Sequence, residues 1–248
     1  MGIGDIALVG GKNAALGEMI QVLAEEGIRV PGGFAVTATT ATSSRRTTCG
    51  PRWPGCWRAW TRAPVSTRSV GRFALTLPPA LTEAIAGAYK ELGARTSRTA
   101  PEVAVRSSAT AEELPDASFA GQQDTFLNIE GADALLAAVK SCFASLFTDR
   151  AIAYRRLHGF AQEQVALSLA VQLMVRSDQG ASGVSFTLDT ETVFPNIVLI
   201  NGAWGVDECV VKGVVNPDEW RVCKPPLADP ARCPIVDRRV GLNGSWPR

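Results

Sequence analysis

A chain of 248 residues with 25 basic and 24 acidic side chains is close to neutral, so its net charge gives neither nucleic acid nor an anionic membrane a reason to bind. Its 46% hydrophobic content is that of a folded globular protein, and no apolar run approaches the roughly 18 to 20 residues that a membrane-spanning helix needs. One histidine, and six cysteines without a C-x-x-C pair, argue against a zinc centre and for reduced, mostly buried thiols. The opening MGIGDIALVGGKNAAL has no basic region ahead of a long apolar stretch, so no secretory leader is expected and a cytoplasmic location is the default.

In chain order, KNAALGEMIQVLAEE (12–26) places Ala15, Met19, Val22 and Leu23 at helical spacing, and Gly27 supplies a C-terminal stop. VPGGFAVTA reads as a turn leading into a short strand. Residues 78–92 begin with a proline pair and continue as an amphipathic helix. EVAVRS reads as a strand. ADALLAAVKSCFASLF and TDRAIAYRRLHGF predict one long helix or two consecutive ones, with Leu135, Val139, Phe143 and Leu146 on one side. VALSLAVQLMV is a continuous apolar run of central-strand type, covered on both faces, and ASGVSFTLD and NIVLINGAWG read as further strands closing on glycine turns. Helices and strands mix without a strict βαβ alternation, which predicts the α+β class.

Residues 41–73 resist this reading. From 28 to 81 there is no acidic residue and no lysine, while arginines and three tryptophans crowd TSSRRTTCGPRWPGCWRAWTRAPVSTRSVGRF without a helical or strand period. Three readings compete: a basic, aromatic platform for single-stranded nucleic acid, an irregular loop, and a segment read out of frame from a G+C-rich gene. The third is favoured, and GLNGSWPR at the end of the chain reads as a second such slip.

Two places carry chemistry. In LVGGKNAALGEM, Gly10 and Gly11 precede Lys12 and a helix follows, an arrangement in which backbone N–H groups, close approach and a cation suit an anion. It is not a P-loop, because Ile6 stands where the first glycine would be and Asn13 follows the lysine. The alternative is a turn before a helix with a surface lysine. Arg106 leaves the strand VAV, and a guanidinium held at a strand end suits the paired oxygens of a phosphate. Behind it, SSATAEELPDASFAGQQDT supplies small and hydroxyl residues that can drape over a polyphosphate, or form an ordinary polar loop.

Seven collinear motifs carry a resemblance: GGKNAALGEM, VPGGFAVT, AVRSSATAEELPDASFAGQQDTFLN, ASLFTDRAIAYR, VQLMV, SGVSFTLDTE and WGVDECVVKGVVNPDEW. In this order they resemble the N-terminal nucleotide-binding domain of the phosphoenolpyruvate synthase (pyruvate, water dikinase) family, over nearly the whole chain outside 41–73 and the last residues. Pyruvate, phosphate dikinase and rifampin phosphotransferase share the architecture. The resemblance implies an ATP-grasp-like fold of two lobes, 1–165 and 166–248, the second incomplete at its C-terminus. It implies ATP and Mg²⁺ as ligands, with Lys12 and Arg106 on the phosphates and Gly10 and Gly11 at the turn. Ser107, Ser108 and Thr110 would begin the covering loop, and Gln172, Met174 and Val175 would run along the adenine. Glu208, in GVDE where the family has G-L-G-E, would face ribose or metal; Asp207 replaces a glycine there, and strains the turn if that glycine needs a positive φ.

In the family, ATP gives its β-phosphate to a histidine on a swivelling domain, and a barrel domain passes it to pyruvate. The chain matches neither later domain, and His158 in RRLHGF lies outside the phosphohistidine motif and reads as a surface residue at a helix end. The family's acidic metal position and glutamine beyond this region have no counterpart in 225–248. The expectation is therefore an ATP-binding domain without turnover of its own; a bare nucleotide-binding fragment, a non-functional remnant, and the nucleotide domain of a related dikinase or rifampin phosphotransferase are the alternatives.

Overall fold

The computed structural model describes residues 1–37, 77–109, 113–114, 117–118, 125–157, 167–229 and 231–242. The segment 41–73, Thr110, His158 and the final residues 243–248 lie outside the described residues. The chain divides into two compact units, Met1–Met174 and Val175–Arg248.

The first unit opens with helix α1 (Ile6–Glu25). It ends as the sequence predicts: Gly27 takes φ +72°, its N–H bonds Ala24 O at 3.1 Å, and the Ile28 N–H bonds Leu23 O at 2.9 Å. These paired bonds are a Schellman cap, which needs a residue tolerant of positive φ. Strand β1 (Gly33–Val36) follows. Helix α2 (Pro79–Arg95) starts with proline at its first position, where the missing N–H costs nothing. Strand β2 (Val103–Ala109) leads to a small hairpin of β3 (Glu113–Leu114) and β4 (Ala117–Ser118), then β5 (Thr125–Ile129). Helices α3 (Ala132–Ala144) and α4 (Asp149–Leu157) are joined by a 3₁₀ turn, and β6 (Leu167–Leu173) completes the set.

The sheet order is β1-β6-β2-β5, antiparallel throughout, so β6 is the central strand its apolar run predicts. One face is the core: Val36, Val103, Val105, Leu167, Leu169 and Val171 pack against Leu81, Ile85 and Tyr89 of α2 and Leu135, Val139 and Phe143 of α3. Each fully buried Val or Leu there contributes roughly 1.5–3 kcal/mol.

Register puts Ala104, Arg106 and Ser108 of β2 on the other face, opposite Gln172, Ala170 and Ser168 of β6. This face is built from small and polar side chains, and α1 lies on it. The buried positions of α1 are Val9, Gly10, Gly11, Asn13, Ala14 and Gly17, whereas Ala15, Met19 and Val22 are exposed. A helix reaches a small-residue surface with its own small residues, because only they let the backbones approach closely.

The second unit is a sheet of β7 (Ala181–Phe186), β8 (Ile197–Trp204), β9 (Asp218–Cys223) and β10 (Ile235–Arg239), in the antiparallel order β10-β9-β8-β7, with a short helix α5 (Asp207–Val211). The chain is thus α+β. Its charged feature is Arg221, whose guanidinium faces Glu191 at 3.1 Å, Glu219 at 3.3 Å and Asp189 at 3.8 Å. Of the described cysteines only Cys142 is buried; Cys209 and Cys223 are half-buried and Cys233 is exposed, so the expectation of mostly buried thiols is corrected. Among the described residues no helix is long and apolar enough to cross a membrane.

Candidate functional site

The sequence GGKN produces a break, then a dock. Gly10 takes φ +73° and ψ +160°, a backbone conformation essentially restricted to glycine, and it kinks α1. The kink is tight against β2: a Cβ on Gly10 would stand 2.3 Å from Ser108 Oγ and 2.5 Å from Ser108 O. Both the dihedral angle and the space therefore require glycine here. Three residues on, the Asn13 N–H donates to Ser108 Oγ at 3.3 Å. Its side-chain amide donates to Ser168 Oγ at 3.0 Å, and the Ser168 hydroxyl donates to Val36 O at 2.9 Å. Asn13, Ser108 and Ser168 are all at most 2% exposed.

This dock places the helix that carries Lys12 on the sheet face that carries Arg106. Lys12 is the residue before Asn13, and Arg106 lies two residues before Ser108, about 7 Å along the strand on the same sheet face. Both Lys12 and Arg106 are exposed. The helix of the lysine thus packs on the face that carries the arginine.

Ser107 and Ser108, expected at the start of a covering loop, are instead residues of β2 paired with Leu169 and Ser168, and both are buried. The strand outlasts the arginine because β6 continues to pair with it as far as Ala109. Gln172 is half-buried and donates from Nε2 to Pro31 O at 3.1 Å. The Met174 N–H bonds Glu102 O at 3.0 Å, and Val175, the first residue of the second unit, is 60% exposed. The VQLMV segment therefore runs from central strand to the junction between units.

Glu208 belongs to the second unit, in the first turn of α5. Its Oε1 accepts from Lys212 Nζ at 2.5 Å, one helical turn away, and both side chains are mostly exposed. That hydrogen bond holds the lysine's pKa above its ordinary value. The strain expected at Asp207 does not arise: Gly205 carries the positive φ, +91°, and Asp207 is the first residue of the helix. A cavity of about 560 Å³ opens along β7, β8 and β9, with Trp204 and Trp220 in its wall, and none of the residues above lines it. The residues that sequence reasoning missed are Asn13 in its docking role and Ser168. The available signal was a polar residue at the buried phase between Gly10 and Gly17.

Comparison with known proteins bears on what this turn and strand serve. The family model described as "Pyruvate phosphate dikinase, AMP/ATP-binding domain" matches residues 6–48 and 72–243. The chain belongs to that family. The gap in the match, 49–71, falls inside the stretch of anomalous composition. Phosphoenolpyruvate synthase of Aquifex aeolicus is 47% identical over 249 residues, which is 96% of this chain and 29% of the relative. The Escherichia coli protein of the same name is 47% identical over 97% of this chain and 31% of its own length, and the Deinococcus radiodurans one 48% over 90% and 29%. The chain thus spans about 30% of the curated relatives it matches, in their ATP-binding part.

Proposed function

We propose that this chain binds ATP as the nucleotide-binding part of a phosphoenolpyruvate synthase-type phosphotransferase, with an ATP-grasp-like fold. The observation that carries the reading is the docking of Asn13 on Ser108, which ties the Gly10–Lys12 turn to the sheet face of Arg106. Lys12 and Arg106 hold the phosphates as charge-assisted donors, and the two glycines let the anion approach backbone N–H groups. Gln172, Met174 and Val175 flank the adenine, Ser107 and Ser108 support the turn from the sheet, and Thr110 belongs to the segment that closes over the phosphates. Phosphoryl transfer asks mainly for positioning and charge neutralisation, which this set supplies.

Mg²⁺ is commonly held by one or two carboxylates together with substrate phosphates. Among the described residues no three His, Cys, Asp or Glu side chains gather into a metal site. Glu208, an exposed carboxylate bonded to Lys212, would be this chain's residue for an ion carried mainly by the nucleotide, and such an ion would supply charge neutralisation at the phosphates. Delivery of the β-phosphate to a histidine, and onward to pyruvate, is the reaction proposed for the complete family protein.

The test is calorimetric titration of the chain with MgATP beside Lys12→Ala and Arg106→Ala. Each lost contact is worth roughly 1.5–3 kcal/mol, so each variant should bind about 10- to 100-fold more weakly. Affinities equal to that of the unaltered chain would overturn the assignment.

A further inference from the structure

Asn13 makes no sense as packing alone. Its neighbours at the buried phase of α1 are Val9, Gly10, Gly11, Ala14 and Gly17, all apolar or without a side chain, and an alanine would satisfy that surface without burying an amide. A buried amide costs free energy unless it is hydrogen-bonded, and here it is bonded to Ser168 at 3.0 Å, which is in turn bonded to Val36 O at 2.9 Å. With the bond from Asn13 N–H to Ser108, the helix is fastened to β2 and β6 at once and, through Ser168, to β1. Contacts among glycines and alanines resist sliding weakly; directional bonds to two neighbouring strands fix both the height and the rotation of the turn beside them.

We infer that Asn13 and Ser168 are positioning residues for the phosphate site: they hold the Gly10–Lys12 turn at a set place over β2, so that Lys12 and Arg106 meet the same polyphosphate. The inference rests on the ATP-binding reading, which already uses the Asn13–Ser108 bond, and adds to it a role for the Asn13 side chain and for Ser168. It predicts a selective loss. Adenosine lacks phosphates, and its affinity reports the base and ribose contacts; the ratio of the adenosine Kd to the ATP Kd reports the phosphate site.

Titration of the chain with adenosine and with MgATP gives this ratio for the unaltered protein, Asn13→Ala, Ser168→Ala, Ser168→Thr and Tyr89→Phe. The ratio should fall tenfold or more in the two alanine variants, with the adenosine Kd within about twofold of the unaltered chain. Ser168→Thr restores the oxygen and should restore the ratio. Tyr89 hydrogen-bonds Pro101 O and the Gly131 N–H on the opposite side of the sheet, so Tyr89→Phe should lower the melting temperature and leave the ratio alone. A ratio unchanged in both alanine variants, while the unaltered chain still prefers ATP to adenosine, overturns the positioning role only. No preference for ATP in the unaltered chain overturns the phosphate-binding reading beneath it. Should Asn13→Ala fail to fold, Ser168→Ala decides the question from the strand side.

Discussion

At the residue scale, Gly10 is the position with the least latitude. Its φ of +73° excludes side chains on conformational grounds, and Ser108 excludes them on steric grounds. Gly10→Ala should cost at least about 2 kcal/mol, since backbone strain alone accounts for roughly 1–3 kcal/mol and the overlap adds to it. Urea denaturation of the variant measures this; a change below 0.5 kcal/mol, on the order of that of an ordinary surface substitution, would contradict the described turn. Lys12 and Arg106 could be proposed from the sequence because each sits beside a local signal, a glycine pair and the end of an apolar strand. The Asn13–Ser168 bond could not, because its partners are 155 residues apart and nothing in either neighbourhood points to the other. The opposite lesson comes from Asp207: a motif substitution that reads as strain is relieved because Gly205 takes the left-handed backbone.

At the element scale, periodicity found α1, but its apolar spacing does not mark its buried face. Met19, Val22 and Leu23 form the more apolar stripe, but the sheet face opposite is small and polar, with Ala104, Ser108, Ser168 and Ala170 beside Arg106 and Gln172, so the glycine stripe is buried instead. Where the opposing surface is apolar the pattern is reliable: Leu135, Val139, Phe143 and Leu146 are all buried as the spacing predicts. The loop between β7 and β8 offers two tests. Val193 holds φ +59° while 68% exposed, a conformation that costs a β-branched residue of order 1–2 kcal/mol. Val193→Asn should therefore raise the melting temperature by about 2–4 °C, and a fall would contradict the backbone there.

In the same loop, Asp189 accepts the Glu191 N–H at 3.0 Å, which with Arg221 nearby holds its carboxyl below the ordinary range. A carboxyl depressed in the folded state stabilises above its unfolded pKa of about 3.9 and loses that contribution as pH falls toward the folded value. The melting temperature of the unaltered protein should exceed that of Asp189→Asn by a constant margin from neutral pH to about pH 5, and the margin should shrink below about pH 4. A margin that widens toward acid would reverse the sign and contradict the account.

At the scale of the molecule, two antiparallel sheets each with its own helices make an α+β chain of two units, and the family match runs through both. The class was readable from the order of elements, because strands and helices without regular alternation argue against a doubly wound parallel sheet. The extent of the chain relative to its relatives, about 30%, makes nucleotide binding the property to measure first. The central claim is that Lys12 and Arg106 act on the same polyphosphate, and a double-mutant cycle on MgATP affinity tests it most directly. Two cations on the same anion should be coupled by at least about 0.5 kcal/mol, so that Lys12→Ala/Arg106→Ala departs from the sum of its single variants. Strict additivity of the two losses, or no loss in either, would contradict it.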